Sequence, residues 1–196
     1  MSDRTRPDAH AFVPARRLLL LGGGLAGAGF WGGQRALAQA AAPTRDWFAL
    51  IRQQHQQISH AFDVLLARDD QPWEQRSTQL RTVSQLLNAH QEAEENVVYP
   101  ALTRVGLASQ ADHLYKEEAD IKVLRAQLVL LASNKGAPRE WTDVAHQLQK
   151  AVLEHALKDE EKDVLPQLHD KLDAGQNRFL SVMYPREFAT VVPPRS

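Results

Sequence analysis

The chain has 196 residues, of which 43% are apolar, and it contains no cysteine. These values fit one globular domain and exclude disulfides and every metal site built on thiolates. With 23 basic and 24 acidic side chains, the chain has no general attraction to nucleic acid or to an anionic membrane, so we expect no nucleic-acid partner.

The first 40 residues differ in composition from the rest. The pair Arg16-Arg17 precedes four leucines, a stretch rich in glycine and alanine follows, and small residues end it at Ala38-Gln39-Ala40. A charged start, an apolar middle and a small-residue end are typical of a cleavable secretory signal. The arginine pair resembles a twin-arginine signal, whose export machinery carries proteins that are already folded.

A membrane anchor is the alternative interpretation of the same segment. From Leu18 to Phe30 the apolar stretch is shorter than the roughly 20 residues that span a bilayer as a helix. We therefore prefer a cleaved export signal over residues 1–40 to an uncleaved anchor. The working domain is expected to begin near Ala41 and to act in the periplasm, or otherwise outside the cytoplasm.

After Pro43 the apolar residues recur at intervals of three and four, without an alternating strand pattern, which predicts an all-helical domain over residues 41–175. Short connections between four amphipathic helices predict an up-down-up-down four-helix bundle. Residues 176–196 are predicted to form a tail packed on or near the bundle. The first helix is predicted to end at Asp69-Asp70-Gln71-Pro72, and the other three to run from about Trp73 to Val105, Ser109 to Ser133 and Pro138 to Leu172.

Each predicted helix carries one histidine in the middle of its apolar stripe. Glu94 follows one of these histidines by four positions and Glu117 follows another by four, so each pair shares a helix face. Buried carboxylates are costly unless they are paired or bind a metal. Since so many inward groups cannot all satisfy one another, the pattern indicates a cluster of cations. The four histidines are His55, His90, His113 and His155.

A weak internal repeat points to one more carboxylate. The segment His90 to Pro100 resembles the segment His155 to Pro166, and counting back six positions from each proline gives Glu94 and Glu160. In a regular helix, Glu160 would lie about 140° away from the histidine five positions before it. A π-bulge would turn it inward, whereas Asp159 needs none. The repeat leaves both residues open as the carboxylate of the fourth helix.

The order of these residues resembles the hemerythrin-like, or HHE cation-binding, domain over roughly Asp46 to Leu172. The resemblance rests on His55, on His90-x3-Glu94-Glu95 with Pro100, on His113, and on His155-x4-Glu160-Glu161 with Pro166. It implies a non-haem centre of two oxygen-bridged iron ions, preferred to zinc or manganese. It also implies that Glu94 and Glu160 are bridging carboxylates, that the four histidines are ligands, and that Glu160 is preferred to Asp159.

Glu117 completes the predicted ligand set and departs from the pattern of the family's oxygen carriers, which have a histidine at that position. A harder oxygen ligand favours ferric iron and lowers the potential, which argues against reversible oxygen carriage. The sequence thus predicts an exported di-iron protein that binds or senses oxygen or a related small oxidant. Two alternatives stay open: a di-iron redox enzyme acting on peroxide, nitric oxide or ferrous iron, and a metal-free or single-zinc helical interaction module.

Overall fold

A computed structural model describes residues 45–68, 70–135 and 137–191. The predicted export signal and the predicted domain start at Ala41 lie outside these residues. All regular structure in the described residues is helical and none of it is strand, so the predicted all-α class is confirmed. None of these helices is long and apolar enough to cross a bilayer. The helices are α1 (Trp47–Leu65), α2 (Trp73–Ala93), α3 (Tyr99–Arg104), α4 (Ala108–Ser133), α5 (Pro138–Glu154), α6 (Leu165–Lys171) and α7 (Ala174–Val191).

Two π-helical segments join shorter helices into longer rods. The first, Glu94–Val98, continues α2 into α3, and the second, His155–Val164, continues α5 into α6. A proline stands at the start of both α3 and α6. Proline has no N–H and interrupts the regular hydrogen-bond ladder of the turn before it. Wider π turns at these places keep each rod continuous, and the described chain forms five rods.

The apolar core lies in two clusters, one toward each end of the rods. The first cluster contains Trp47 from the start of α1, Leu102 from the end of the α2–α3 rod and Leu168 from the end of the α5–α6 rod. The second contains Phe62 from the end of α1 and Trp141 from the start of α5. The midpoints of these rods lie between the two clusters.

The fifth rod is a correction to the predicted bundle of four helices. Residues predicted as a tail form α7, which packs against α1 and α2 and buries Leu180 and Tyr184. The Trp47 backbone N–H donates to Ser181 Oγ at 3.1 Å, and the Trp47 indole N–H donates to Asn177 Oδ1 at 2.9 Å. Burial of one apolar face of α7 explains why this segment is helical and packed.

Candidate metal centre

Three of the four predicted histidines meet in the interior, midway along the rods. His55 lies on α1, His90 on α2, and His155 at the start of the second π segment, and each is at most 5% exposed. The rings of His55 and His90 stand edge to face with centroids 4.8 Å apart. All three turn Nε2 toward the buried carboxylates and Nδ1 toward another partner.

Three glutamates without any solvent exposure face these imidazoles: Glu94, Glu118 and Glu160. Glu94 Oε2 lies 3.1 Å from His90 Nε2, and Glu160 Oε2 lies 3.2 Å from His55 Nε2. The other oxygen of Glu160, Oε1, lies 3.5 Å from His155 Nε2. Glu160 thus stands between two imidazoles that come from different rods.

The donor atoms form two overlapping sets, in each of which all atoms lie within 4.8 Å of one another. One set contains His55, His90, Glu94 and Glu160, and the other contains Glu94, Glu118 and His155. Glu94 belongs to both sets, so the two sets share one carboxylate.

The second π segment explains how Glu160 reaches the interior. Leu165 donates its backbone N–H to the Glu160 carbonyl, five residues back, as a π turn requires. With more residues in each turn, a side chain five positions after His155 returns to the same side of the rod. The structure therefore places Glu160 inside, whereas Asp159 is only partly buried at the edge of the rod.

The outer nitrogen of each buried histidine has its own hydrogen-bond partner. His55 Nδ1 lies 2.8 Å from Glu161 Oε1, and His155 Nδ1 lies 2.9 Å from Glu117 Oε2. His90 Nδ1 is 2.9 Å from Gln54 Oε1 and 3.0 Å from the Tyr184 hydroxyl. Such contacts fix the ring orientation of metal-binding histidines and leave the opposite nitrogen free for an ion.

Several inward atoms have no hydrogen-bond partner among the described residues. They are both carboxylate oxygens of Glu94, Oε2 of Glu118 and of Glu160, and Nε2 of His55. Some of these atoms approach one another closely, yet without the geometry of a hydrogen bond. Buried polar groups are almost always paired, and leaving one unpaired costs about 1–3 kcal/mol. Cations at the two donor sets would satisfy these atoms, and Glu118 Oε2 also lies 3.9 Å from the Lys122 ammonium. The residues therefore fit a metal centre.

The same crowding shifts the pKa values of the acids in the metal-free protein. Burial raises the pKa of Glu94 well above its usual range, and the neighbouring charges of Glu160 and Glu118 raise it further. Burial also raises the pKa of Glu118 to about 10. For Glu160, burial acts in the same direction, but His155 and His55 outweigh it and hold the pKa at about 2. In the metal-free protein the charged form is therefore favoured at Glu160, whereas burial and repulsion favour the protonated form at Glu118 and act in the same direction at Glu94.

His113 and Glu117 lie at the edge of the cluster and not inside it. The His113 side chain is 56% exposed, and its Nε2 lies 3.3 Å from Glu117 Oε1. Glu117 is partly exposed and contacts the outer nitrogen of His155, whose hydrogen bond is the main cause of its lowered pKa. His113, Glu117 and Asp159 form a separate group of possible ligands near the surface.

Two inward residues were missed in the sequence, Glu118 and Tyr99. Glu118 shares the buried face of α4 with Leu114 and Ile121, at the usual spacing of four and three, so a signal was present. Tyr99 is fully buried, and its hydroxyl oxygen lies 2.8 Å from Glu118 Oε1, 2.8 Å from Glu160 Oε1 and 3.3 Å from His155 Nε2. Burial, together with the nearby carboxylates, raises the pKa of Tyr99 well above its usual value.

Comparison with known families gives one match. The model of the Hemerythrin HHE cation binding domain matches residues 48–168, which is more than half of the chain. The matched region includes every residue of the buried cluster. A search of curated proteins found no match.

Proposed function

The chain belongs to the hemerythrin HHE cation-binding family, and we propose that it is an iron protein whose buried centre holds two ions. The observation that carries this proposal is the set of inward atoms without hydrogen-bond partners, on Glu94, Glu118, Glu160 and His55. The proposed ligands are His55, His90, His155, Glu94, Glu118 and Glu160.

The donor set supports iron in preference to zinc or manganese. Imidazole suits iron and zinc, carboxylate suits harder ions, and a site with both and without sulfur fits non-haem iron. Three buried carboxylates also exceed the charge that one divalent ion balances, which favours a pair. When bound, the pair supplies Lewis acidity and one-electron redox chemistry toward a small ligand.

The chain's own residues limit what reaches the centre. Ile58, Leu87, Ile121 and Val152 line a cavity of about 10 Å³ beside the three histidines. A cavity needs about 10–15 Å³ to hold one water molecule, so this one is at the lower limit. This small volume argues against a large substrate, and we propose that the ligand is oxygen or a related small oxidant.

We also propose that the protein is exported, with residues 1–40 as the signal and the working domain beginning near Ala41. The support is the Arg16-Arg17 pair, the apolar stretch after it and the small residues at Ala38-Gln39-Ala40. Export of a folded chain suits a metal that is enclosed between rods and is loaded before transport.

Elemental analysis joined to absorption spectroscopy tests the function. Protein reconstituted with ferrous iron without air should hold about two irons per chain, as expected for a shared carboxylate centre. Its visible spectrum should change when oxygen, nitric oxide or peroxide is added. Reversible change supports ligand binding, and sustained turnover with an electron donor supports the enzyme alternative. Protein that takes up no iron under these conditions refutes the proposal, and uptake of a single zinc supports the interaction module.

A further inference from the structure

We infer that Tyr99 is a further ligand of the metal centre and binds through its phenol oxygen beside Glu118, Glu160 and His155. The inference rests on the proposed function, because it requires an ion at the cluster. It adds an anionic oxygen donor to the ligands considered so far.

The position of Tyr99 follows from the first π segment. Its backbone N–H donates to the Glu94 carbonyl five residues back, so Tyr99 begins α3 just where the π turn ends. Because Glu94 already faces inward, four positions after His90, this turn brings the side chain of Tyr99, five positions after Glu94, to the same inner side of the rod. The ring packs edge to face against Tyr115 with centroids 5.0 Å apart. Packing and backbone together hold the phenol against the centre.

The hydroxyl of Tyr99 lies near more acceptors than its one hydrogen can bind. It lies within 3.3 Å of two carboxylate oxygens and one imidazole nitrogen, but a phenol carries one hydrogen. At least one contact therefore needs another proton or a cation. Because the same carboxylates also carry oxygens without partners, a cation satisfies both the phenol and its neighbours.

The distances agree with those between neighbouring ligands of one ion. Donors that lie 2.0–2.2 Å from an ion, at roughly right angles, are about 3 Å apart. The phenol oxygen lies 2.8, 2.8 and 3.3 Å from Glu118 Oε1, Glu160 Oε1 and His155 Nε2. The Tyr99 oxygen thus lies beside Glu118 and His155 of the second donor set and beside Glu160 of the first, at separations that fit neighbouring ligands of an ion.

The other two tyrosines of the chain have different roles. The Tyr184 hydroxyl lies behind an imidazole, on the outer nitrogen of His90 and on Gln54 Oε1. The Tyr115 hydroxyl donates to the backbone carbonyl of Glu95 at 2.9 Å and is partly exposed. Of the three tyrosines, Tyr99 alone has its hydroxyl within hydrogen-bond distance of the inward carboxylates and of an inner imidazole nitrogen.

Binding through the phenol oxygen exchanges one bond for another. The O–H bond of Tyr99 breaks, an oxygen–metal bond forms, the proton leaves to the buffer, and no electron is transferred. Phenolate is a known protein ligand of ferric iron. It should give the ferric protein a visible charge-transfer band that carboxylates and imidazoles alone do not give.

The test compares ferric-loaded full-length wild type with Tyr99→Phe, using Tyr115→Phe as the matched control. Iron content, the visible band and resonance Raman spectra excited within that band are measured. We expect wild type and Tyr115→Phe to show tyrosinate ring vibrations, and Tyr99→Phe to bind iron with the band and the vibrations lost. Retention of both in iron-loaded Tyr99→Phe overturns the inference.

A second measurement covers the case in which Tyr99→Phe does not fold. Wild type and the Tyr115→Phe and Tyr184→Phe variants are grown with ring-deuterated tyrosine, and the vibrations should shift in all three. Iron-loaded wild type without tyrosinate vibrations overturns this inference alone and leaves the proposed function standing. Wild type that takes up no iron overturns both the role of Tyr99 and the proposed function.

Discussion

Glu161 holds the outer nitrogen of His55 at 2.8 Å, while Glu160, the preceding residue, lies 3.2 Å from the inner nitrogen of the same ring. Two consecutive glutamates thus contact opposite sides of one imidazole. The hydrogen bond from His55 is the main cause of the lowered pKa of Glu161. Glu161 therefore orients the ring and keeps the inner nitrogen available.

The Glu161→Gln variant should bind metal more weakly without losing the site. Loss of a partner that orients a metal-binding histidine typically costs 10–100-fold in affinity, so we expect a fall of about that size. Competition with a chelator measures it. Asp163→Asn is the matched control, because the exposed Asp163 side chain accepts a hydrogen bond from Gln167. An unchanged affinity in Glu161→Gln would show that the ring is held by packing alone.

Glu94→Gln should lose most of its metal. Glu94 belongs to both donor sets, so removing one of its charged oxygens affects both ions. We expect iron content below half of the wild-type value and a lower melting temperature of the loaded protein, since bound metal stabilises the fold. Glu92→Gln on the same helix is the control, because Glu92 pairs with Asn88 away from the centre. Full iron content in Glu94→Gln would exclude the bridging role.

Variants on α4 separate the ligands predicted from sequence from those the structure brings together. We expect Glu118→Gln to lose iron, because Glu118 is fully buried among the donors. His113→Ala should keep its iron, because His113 faces solvent at the edge. Iron content per chain is measured for both variants. Iron retained in Glu118→Gln and lost in His113→Ala would mean that the face of α4 with His113 and Glu117 holds the metal.

The metal-free protein should become less stable as pH rises from 7 to 9. In this window an unfolded chain has lost the protons of its glutamates, whereas folded Glu118, whose pKa is raised to about 10, still holds its proton, and the raised pKa of Glu94 acts in the same direction. The folded state then binds more protons, so the free energy of unfolding falls with pH, by at most about 1.4 kcal/mol per pH unit for each group.

Urea unfolding of metal-free protein at pH 7, 8 and 9 checks this dependence. Glu118→Gln is the control, because it removes one ionisable group and should flatten the slope. The stability of the metal-free protein should also fall in strong acid, as Glu160, whose pKa is lowered to about 2, takes up its proton. A stability that rises between pH 7 and 9 would contradict the raised pKa values.

The export proposal predicts where the protein collects in the cell. Replacing Arg16 and Arg17 together with lysine should leave metal-loaded, unprocessed protein in the cytoplasm, because a twin-arginine route requires the pair. Fractionation with mass measurement of the amino terminus follows the processing. Normal processing of this variant would indicate a route for unfolded chains, and failure to process the wild type would support an anchor.

The sequence led to much of the inner cluster because histidine and glutamate stand out in an apolar stripe. The spacing of four predicts that His90 and Glu94 share a face, whereas the repeat leaves Glu160 and Asp159 open. Only the resemblance to the family favours Glu160, which needs a π turn to point inward. The buried face of α4 was harder to predict, because the positions of His113 and Glu117 and those of Leu114 and Glu118 form two adjacent stripes with the same spacing. The prediction followed His113 and Glu117, whereas the buried face contains Glu118, one residue further along.

Tyr99 and α7 were missed for different reasons. Tyr99 lies five positions after Glu94, and only a π turn makes that spacing point inward. In α7 only Leu180, Ser181 and Tyr184 are buried although half of its residues are apolar, and Pro185 lies within the helix, so the sequence does not mark a clear inner stripe. Its packing depends on partners distant in sequence, such as Trp47, which local patterns do not reveal.

Each π segment is an α-helix with one surplus residue, and the orientation of everything after it depends on that residue. Deleting a single position within His155–Val164 would leave the rod continuous but rotate α6 by about 100° relative to α5. Leu165 and Leu168 would then leave the first core cluster at the same time as Glu160 left the imidazoles. In this segment the number of residues is as strict a requirement as their chemistry.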